Sequence, residues 1–284
     1  MRSYGALGIV AALSTVAGAD TSKDVGAIIT KVVRATARDK APDVSALLAS
    51  HAAITTPDGG EDTKLPRARW LYGADSGEVE LEPATPTVVL DDAHHAAWFE
   101  VEVDGSYVME LMNGNSPNRK RDHLPLHVSG LAIDDHGWKI AALMYGDAIP
   151  DKQLYGLEQP DAKRPDSVDP RATSTAADAL AHWIYDGTLA THAAKGALAN
   201  GTAPTEVASG AAVAKLAHAW DGLKMWSSGL VATSFAGGAL VYVYGSVYLP
   251  HGGASVQMAV GAVLVKTTDG WRWATLSFAP VFGA

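Results

Sequence analysis

A hairpin written twice, once in the middle of the chain and once at its end, constrains the fold more than any other feature. The run Ser129-Gly130-Leu131-Ala132-Ile133-Asp134-Asp135-His136-Gly137-Trp138-Lys139-Ile140-Ala141-Ala142-Leu143 lines up with a second run. That run is Val260-Gly261-Ala262-Val263-Leu264-Val265-Lys266-Thr267-Thr268-Asp269-Gly270-Trp271-Arg272-Trp273-Ala274-Thr275-Leu276. Each reads as strand, tight turn, strand, with Asp and Gly at the turn because they reach its open or left-handed backbone cheaply. Upstream, Ala97 to Val101 matches Ala239 to Val243, and each is preceded by another strand-like run, Thr87 to Leu90 and Leu230 to Ser234. A tandem duplication is therefore expected, each half ending in an antiparallel meander.

Each half also opens on a helix signal. Thr21-Ser22-Lys23-Asp24 and Thr175-Ala176-Ala177-Asp178 both set a hydroxyl three residues before a carboxylate, the spacing that satisfies orphan backbone N–H groups at a helix start. Behind the first, Val25, Ile28, Ile29, Val32 and Val33 form a helical apolar stripe; behind the second come Leu180, Ile184 and Leu189, and Val213, Leu216, Ala217 and Trp220 follow Ser209. Helices first and a meander after them predict an α+β fold in each half, with helices packed on a curved antiparallel sheet. Pro150, Pro160, Pro165 and Pro170 mark a polar linker, so the expected divisions are a first domain at 24–149, a linker at 150–173 and a second domain at 174–284.

Ahead of the first domain, Arg2 precedes an apolar stretch from Ala6 that ends Ala17-Gly18-Ala19 before Asp20. This is the layout of a secretory signal at 1–19, cleaved near Ala19, and the expectation is a periplasmic or secreted protein. At about 15 residues the stretch is shorter than the roughly 20 needed to span a bilayer. Composition narrows the classes further. With 48% apolar and 19% charged residues the chain can bury real cores, and 22 basic against 31 acidic residues, a net charge of −9, disfavour a grip on nucleic acid. The absence of cysteine excludes disulfides, thiolate metal sites and a Cys nucleophile.

The Asp-Gly-Trp-Arg-Trp hairpin at 269–273, its counterpart at Asp135 to Ile140, and Asn200-Gly201-Thr202-Ala203-Pro204-Thr205-Glu206 followed by Gly210 and a helix ending at Trp220 resemble a known group. It is the SnoaL-like group of the nuclear transport factor 2-like (NTF2-like) superfamily. The resemblance covers nearly all of the second half, and the first half mainly from Asp91 to Tyr145. It implies two tandem cone-shaped α+β domains, and it implies no single chemistry, because that cone serves isomerases, dehydratases, cyclases, epoxide hydrolases and non-catalytic binders.

Residues 174–284 carry five basic and five acidic side chains, and runs such as Ala239 to Tyr244 and Ala262 to Val265 are apolar on both alternating faces. Sheets buried on both sides are expected, either because the two cones pack on each other or because a homodimer or outside partner covers the second face.

The candidate site residues each have a plainer reading. Glu100 and Glu102 share a strand face with Trp98 and could serve as acid and base inside a cone; a solvated strand face is the commoner outcome. His127, among Leu126, Val128 and Leu131, is a candidate base or a satisfied strand histidine. Tyr242 and Tyr244, with Trp226, Trp271 and Trp273 near, could line an aromatic ligand pocket or simply form core. Asp91, Asp92, His94 and His95 suit a turn better than a metal site. His182 and Asp186 fit a helix-surface pair, and Asn118 to His123 a polar loop with an anion contact. No phosphate loop, dinucleotide fingerprint, His-Glu-x-x-His helix or Gly-x-Ser-x-Gly elbow is present, so no cofactor or metal is expected. The sequence points to an exported tandem module that binds a hydrophobic small molecule or a partner without catalysis. A cofactor-independent isomerase, lyase or cyclase is the alternative.

Overall fold

The computed structural model describes residues 7–36, 44–55, 61–62, 79–113, 116–148, 158–159, 162–168 and 175–281. The first half contains helix α1 (Leu7–Thr36) and strands β1 (Leu48–Thr55), β2 (Glu61–Asp62), β3 (Val79–Pro83), β4 (Thr87–Asp91), β5 (Ala96–Asn113), β6 (Ser116–Asp134) and β7 (Trp138–Asp147). After the short strand β8 (Glu158–Gln159), the second half contains α2 (Ala176–Asp186), β9 (Ala193–Asn200), β10 (Val207–Ser209), α3 (Ala212–Asp221), β11 (Trp226–Phe235), β12 (Leu240–His251), β13 (Ala254–Thr267) and β14 (Gly270–Pro280). Sheet A runs β2-β1-β7-β6-β5-β3 with β4 also on β5; sheet B runs β10-β9-β14-β13-β12-β11 with β8 on β13.

Both sheets contain the expected meander and add one parallel pair that periodicity did not disclose. β1 runs parallel to β7 and β9 parallel to β14, with a register shift at the same place: Leu48 meets Ile140 and Ala53 meets Ala142, as Ala193 meets Trp273 and Leu198 meets Thr275. These registers fix the internal equivalences. Ile140 corresponds to Trp273, Tyr145 to Phe278, Asp147 to Pro280 and Thr55 to Asn200; through the antiparallel ladders, Ser129 corresponds to Gly261, His127 to Ala259, Trp98 to Tyr242 and Glu100 to Tyr244. The sequence alignment of the repeats is thereby corrected by one residue on the strand before the hairpin and by two on the strand before that. The second hairpin is one residue longer, and the bulges at Leu131/Ala132 and Val263/Leu264 fall at equivalent places in the two halves.

The two helix starts differ. Thr175 caps α2 as expected, its Oγ1 accepting from the Asp178 N–H at 3.1 Å and donating to Asp178 Oδ2 at 2.6 Å, and Gly187 closes the helix in the left-handed region. Thr21 and Asp24 instead lie inside α1, which starts at Leu7 and runs through them. No described helix is long and apolar enough to cross a membrane. The residues Asn118 to His123, expected in a loop, belong to β6, whose partner β5 continues alongside to Asn113. The described part of the linker is fastened to the second domain. Ser255 donates to the Ala162 carbonyl at 3.0 Å, Tyr185 to that of Pro165 at 2.9 Å, and Arg164 to that of Tyr185 at 2.7 Å while stacking over the Tyr185 ring.

Strand alternation gives each sheet two buried faces. On sheet A, Ala97, Phe99, Val101 and Val103 of β5 pack with Val25, Ile29, Val32 and Val33 of α1 in the first cone. On sheet B, Val241, Val243 and Val247 of β12 pack with Leu180, Trp183 and Ile184 of α2 and with Val213 and Trp220 of α3 in the second. The opposite faces meet each other: Ala96, Trp98 and Leu131 share one cluster with Leu240, Tyr242, Tyr244 and Val263. Contacts in this seam are reciprocal between equivalent positions. Ser129 hydrogen-bonds Ser277 at 2.6 Å, and at the matching place Met144 fills the hollow over Gly261; Gly146 lies against its own equivalent, Ala279. The seam is thus an isologous dimer interface drawn within one chain.

Candidate functional site

Of the residues singled out from sequence, Glu100, His127, Tyr242 and Tyr244 fall in one layer, and that layer is the seam rather than either cone interior. Glu100 and His127 share a face with Trp98 and Leu131, so they point at sheet B; Tyr242 and Tyr244 point back at sheet A. Alternation was read correctly, but with both faces of every strand apolar it does not say which face the helices take. Trp226 opens β11, buried, and stacks on Tyr248 with ring centroids 5.4 Å apart.

The seam carries a group of buried polar side chains. Glu100 is 4% exposed, and one side-chain amide atom of Asn200 lies 2.8 and 2.9 Å from its two carboxyl oxygens. Burial and the like charge of Glu102 push the Glu100 carboxyl up to about 8. His127 is 6% exposed; its Nε2 lies 3.3 Å from the Ala203 carbonyl and its Nδ1 has no hydrogen-bond partner. Burial lowers its proton affinity. The Tyr242 hydroxyl bonds Thr55 Oγ1 at 2.9 Å, and Trp98 Nε1 donates to the Gly196 carbonyl at 2.9 Å. These are fasteners between domains, each meeting a partner in the other domain.

The cone interiors are filled alike and differ at one end. In the second, Trp273 has no exposed surface and its Nε1 donates to the Leu189 carbonyl at 2.7 Å, while Trp220 meets the Phe278 ring edge-on at 4.8 Å. Leu180, Leu189, Ala217, Val243, Val260 and Leu276 are equally inaccessible. A void able to hold a water would leave accessible surface on the side chains lining it, so no such void touches these residues. The first cone is filled in the same way around Phe99, Val128, Ile140 and Leu143, and Tyr145 bonds Thr36 Oγ1 at 2.7 Å. Toward its end the packing changes character. Asp147 pairs with Leu126 across β6–β7 and shares its face with Tyr145, on the cone side. Its Oδ1 is buried without a hydrogen-bond partner, and burial pushes the carboxyl up to about 7.

Sequence reading missed Asp147. Its only signal was an acidic residue in phase with Leu143 and Tyr145 on a strand otherwise apolar on that face. Of the other candidates, Asp91 to His95 form the expected turn, where His94 Nδ1 meets Asp91 Oδ2 at 2.6 Å and His95 is left-handed. His182 is buried on α2 with Asp186 at 3.9 Å. Trp271 is half-buried under Lys266. Among the described residues no cluster of three metal-ligating side chains occurs.

No family model and no curated protein matches the chain. Solved structures do, about one domain at a time. An NTF2-like superfamily protein from Salmonella enterica serovar Typhimurium is 14% identical and covers 47% of this chain and 95% of its own, with a TM-score of 0.37. A provisionally assigned dehydratase of the NTF2-like family from Streptomyces avermitilis is 14% identical over 46% of this chain and 99% of its own, with a TM-score of 0.38. Mtr2 from Candida albicans is 14% identical over 46% and 99%, with a TM-score of 0.32.

Proposed function

We propose, from the premise that this chain is two tandem NTF2-like α+β domains, that it is an exported, non-catalytic binding module with unequal halves. The Asp147 end of the first cone, beyond its filled interior, holds a hydrophobic small molecule, and the second cone is a scaffold docked against the first. One observation carries the reading: the first cone ends in Asp147, half-buried, with a buried Oδ1 that has no hydrogen-bond partner among the described residues, where the second has Pro280. An unpartnered buried polar group is costly unless something else bonds it. A carboxyl held near neutrality in apolar surroundings suits an uncharged ligand that carries one hydrogen-bonding group. Export rests on the Arg2 to Ala19 segment, and N-terminal sequencing of the protein from its own host should begin at Asp20.

Native mass spectrometry of the full chain tests the binding reading. A single retained molecule per chain, lost in Asp147→Leu and kept in Glu100→Gln, is expected. Two molecules per chain, or one that survives Asp147→Leu, would refute the assignment to the first cone.

A second reading has its own support. A carboxyl that burial pushes up to about 7 is suited to moving a proton, as a cofactor-independent isomerase, lyase or cyclase requires. Asp147→Asn separates the two: an enzyme keeps the ligand and loses turnover, whereas a binder changes only its affinity.

A further inference from the structure

The two halves differ at one sheet edge as well as at one end of their cones. β4 and β11 hold the same place, paired on β5 and on β12. With Trp98 equivalent to Tyr242, the registers make Thr87-Val88-Val89-Leu90-Asp91 equivalent to Val231-Ala232-Thr233-Ser234-Phe235, and Pro86 stands where the second half has Leu230. The first edge carries the usual guards against pairing with a further strand: Pro83 and Pro86, which bring no N–H, and the carboxylates of Glu82 and Asp91. β11 has none of these. Its residues from Trp226 to Phe235 include no proline and no charge.

The outward side of β11 follows from the ladder. The Lys266 N–H donates to the Ala239 carbonyl at 2.8 Å, so odd-numbered residues of β12 bond toward β13 and even-numbered ones toward β11. Tyr244 and Tyr242 therefore bond the backbone of Val231 and Thr233, and the N–H and C=O groups of Leu230, Ala232 and Ser234 point away from the sheet. No described strand lies beyond them. Val231, Ala232 and Ser234 are exposed, and Val231, at 48%, is the most exposed large apolar side chain among the described residues. An uncharged strand with its backbone groups turned outward is a template for another strand.

We infer that β11 is a homodimerisation edge: it pairs antiparallel with β11 of a second copy through Leu230 to Ser234 and continues sheet B from one chain into the next. A two-fold axis at Ala232 is the register that uses all three outward residues, joining Ala232 to its own copy and Leu230 to the partner's Ser234. Val231 then lies beside the partner's Thr233, two β-branched side chains on one face, and its exposed surface is covered. Past the paired segment, Ser227 and Ser228 run alongside the partner's Ala236 and Gly237, small and uncharged, and the space next to Gly229, Gly237 and Gly238 is open. Charge selects the same occupant. Residues 174–284 carry five basic and five acidic side chains, so the net charge of −9 lies entirely ahead of them, and two copies joined at β11 meet through their neutral halves.

Sedimentation equilibrium of the full chain over a concentration series tests the pairing. Wild type should reach a dimer and no larger species, because the two-fold pairing consumes the edge. Val231→Lys, a change at an exposed side chain, should raise the dissociation constant about tenfold or more by setting like charges across the axis. A second measurement reads the register. The chain has no cysteine, so Ala232→Cys places two thiols at the axis with Cα atoms about 5.5 Å apart, a separation that a disulfide spans. That variant should cross-link to its own copy on oxidation, and Ser167→Cys, exposed in the linker, should not. A wild type that stays monomeric up to about 100 μM overturns the proposal, whether or not the edge accepts a foreign peptide. So does a dimer that Val231→Lys leaves intact, or equal cross-linking from positions 232 and 167.

Discussion

The two domains share a plan strand for strand, and β1 and β9 even share one burial pattern, yet they have filled that plan with different chemistry. At three equivalent positions in the cones, the first has Ile140, Tyr145 and Asp147 and the second Trp273, Phe278 and Pro280. The second has exchanged a hydroxyl and a carboxyl for aromatic volume and a proline. On the seam the exchange runs both ways: Glu100, His127 and Ser129 face outward from sheet A where sheet B has Tyr244, Ala259 and Gly261, but sheet B supplies Asn200 and Ser277 against Thr55 and Met144. A duplicated interface need not stay symmetric once both copies are in one chain. Each position has only one partner to fit, so a protrusion on one side, such as Met144, can be matched by a hollow on the other, Gly261.

The contrast between cones is broken most severely at Trp273. Truncation to Ala should cost about 3–5 kcal/mol, because it removes a fully buried indole and leaves a cavity that the surrounding sheet cannot close. Ile140→Ala, its counterpart, should cost about 2–4 kcal/mol. Urea unfolding of both variants checks the order. If the second cone is a scaffold, the Trp273 cavity should also be the one that gains affinity for small apolar molecules such as benzene.

The asymmetry of the seam is sharpened by two glycines. A Cβ on Gly146 would lie 2.7 Å from the Cβ of Ala279, attached to backbone on both sides, so Gly146→Ala should destabilise by about 1–3 kcal/mol. A Cβ on Gly261 meets the Met144 Sδ, which can move, and the Tyr242 hydroxyl at 2.9 Å. Met144→Ala should relieve the Met144 part of the Gly261→Ala cost, a coupling that a double-mutant cycle measures.

How much of this was legible beforehand follows from the physics of each signal. The duplicated hairpins, the Thr175 cap and the Asp91 to His95 turn are local, and local patterns specify local structure. The burial of both sheet faces was also visible, as runs such as Ala239 to Tyr244 that are apolar on both sides. Which face meets the helices was not, because alternation alone is blind to it, and so Glu100 and His127, read as either cone residues or ordinary strand residues, lie in the seam. Asp147 escaped because a single carboxylate on a strand is ordinary; what makes it unusual is the absence of a partner, which only three dimensions reveal. The parallel pairing of β1 with β7 and β9 with β14 joins segments far apart in the chain and leaves no periodic trace.

Asp147 also separates the domains by pH. Its carboxyl is raised from 3.8 to about 7, so the folded state holds a proton that the unfolded chain has released across that range. Its contribution to stability is complete below about pH 4 and is lost as pH rises through about 7. Asp147→Asn should flatten that part of the stability profile and raise stability at pH 8 by about 1–3 kcal/mol, measured by urea unfolding at several pH values. The Glu100 contribution, centred higher, should persist in this variant. A profile that does not change would mean that Asp147 finds a partner in solution.

The smallest effect concerns how the two halves begin. α2 starts at Thr175, where a side-chain oxygen satisfies the Asp178 N–H and Asp178 returns the contact, so the helix has a defined first turn. α1 passes through the similar Thr21 to Asp24 segment without stopping, because residues 7–19 already supply the preceding turns and their carbonyls accept the N–H groups that a cap would otherwise serve. Thr175→Ala should therefore cost about 1 kcal/mol, while Thr21→Ala in the full-length chain should cost a few tenths or nothing. Removal of residues 1–19 changes the second number and not the first. With that segment gone, Thr21 becomes available as a true cap, and Thr21→Ala should then approach the Thr175→Ala cost. Thermal unfolding of the four proteins, long and short with each substitution, reads this difference directly. Equal costs for Thr21→Ala in the long and short chains would show that the preceding helix is not formed in solution.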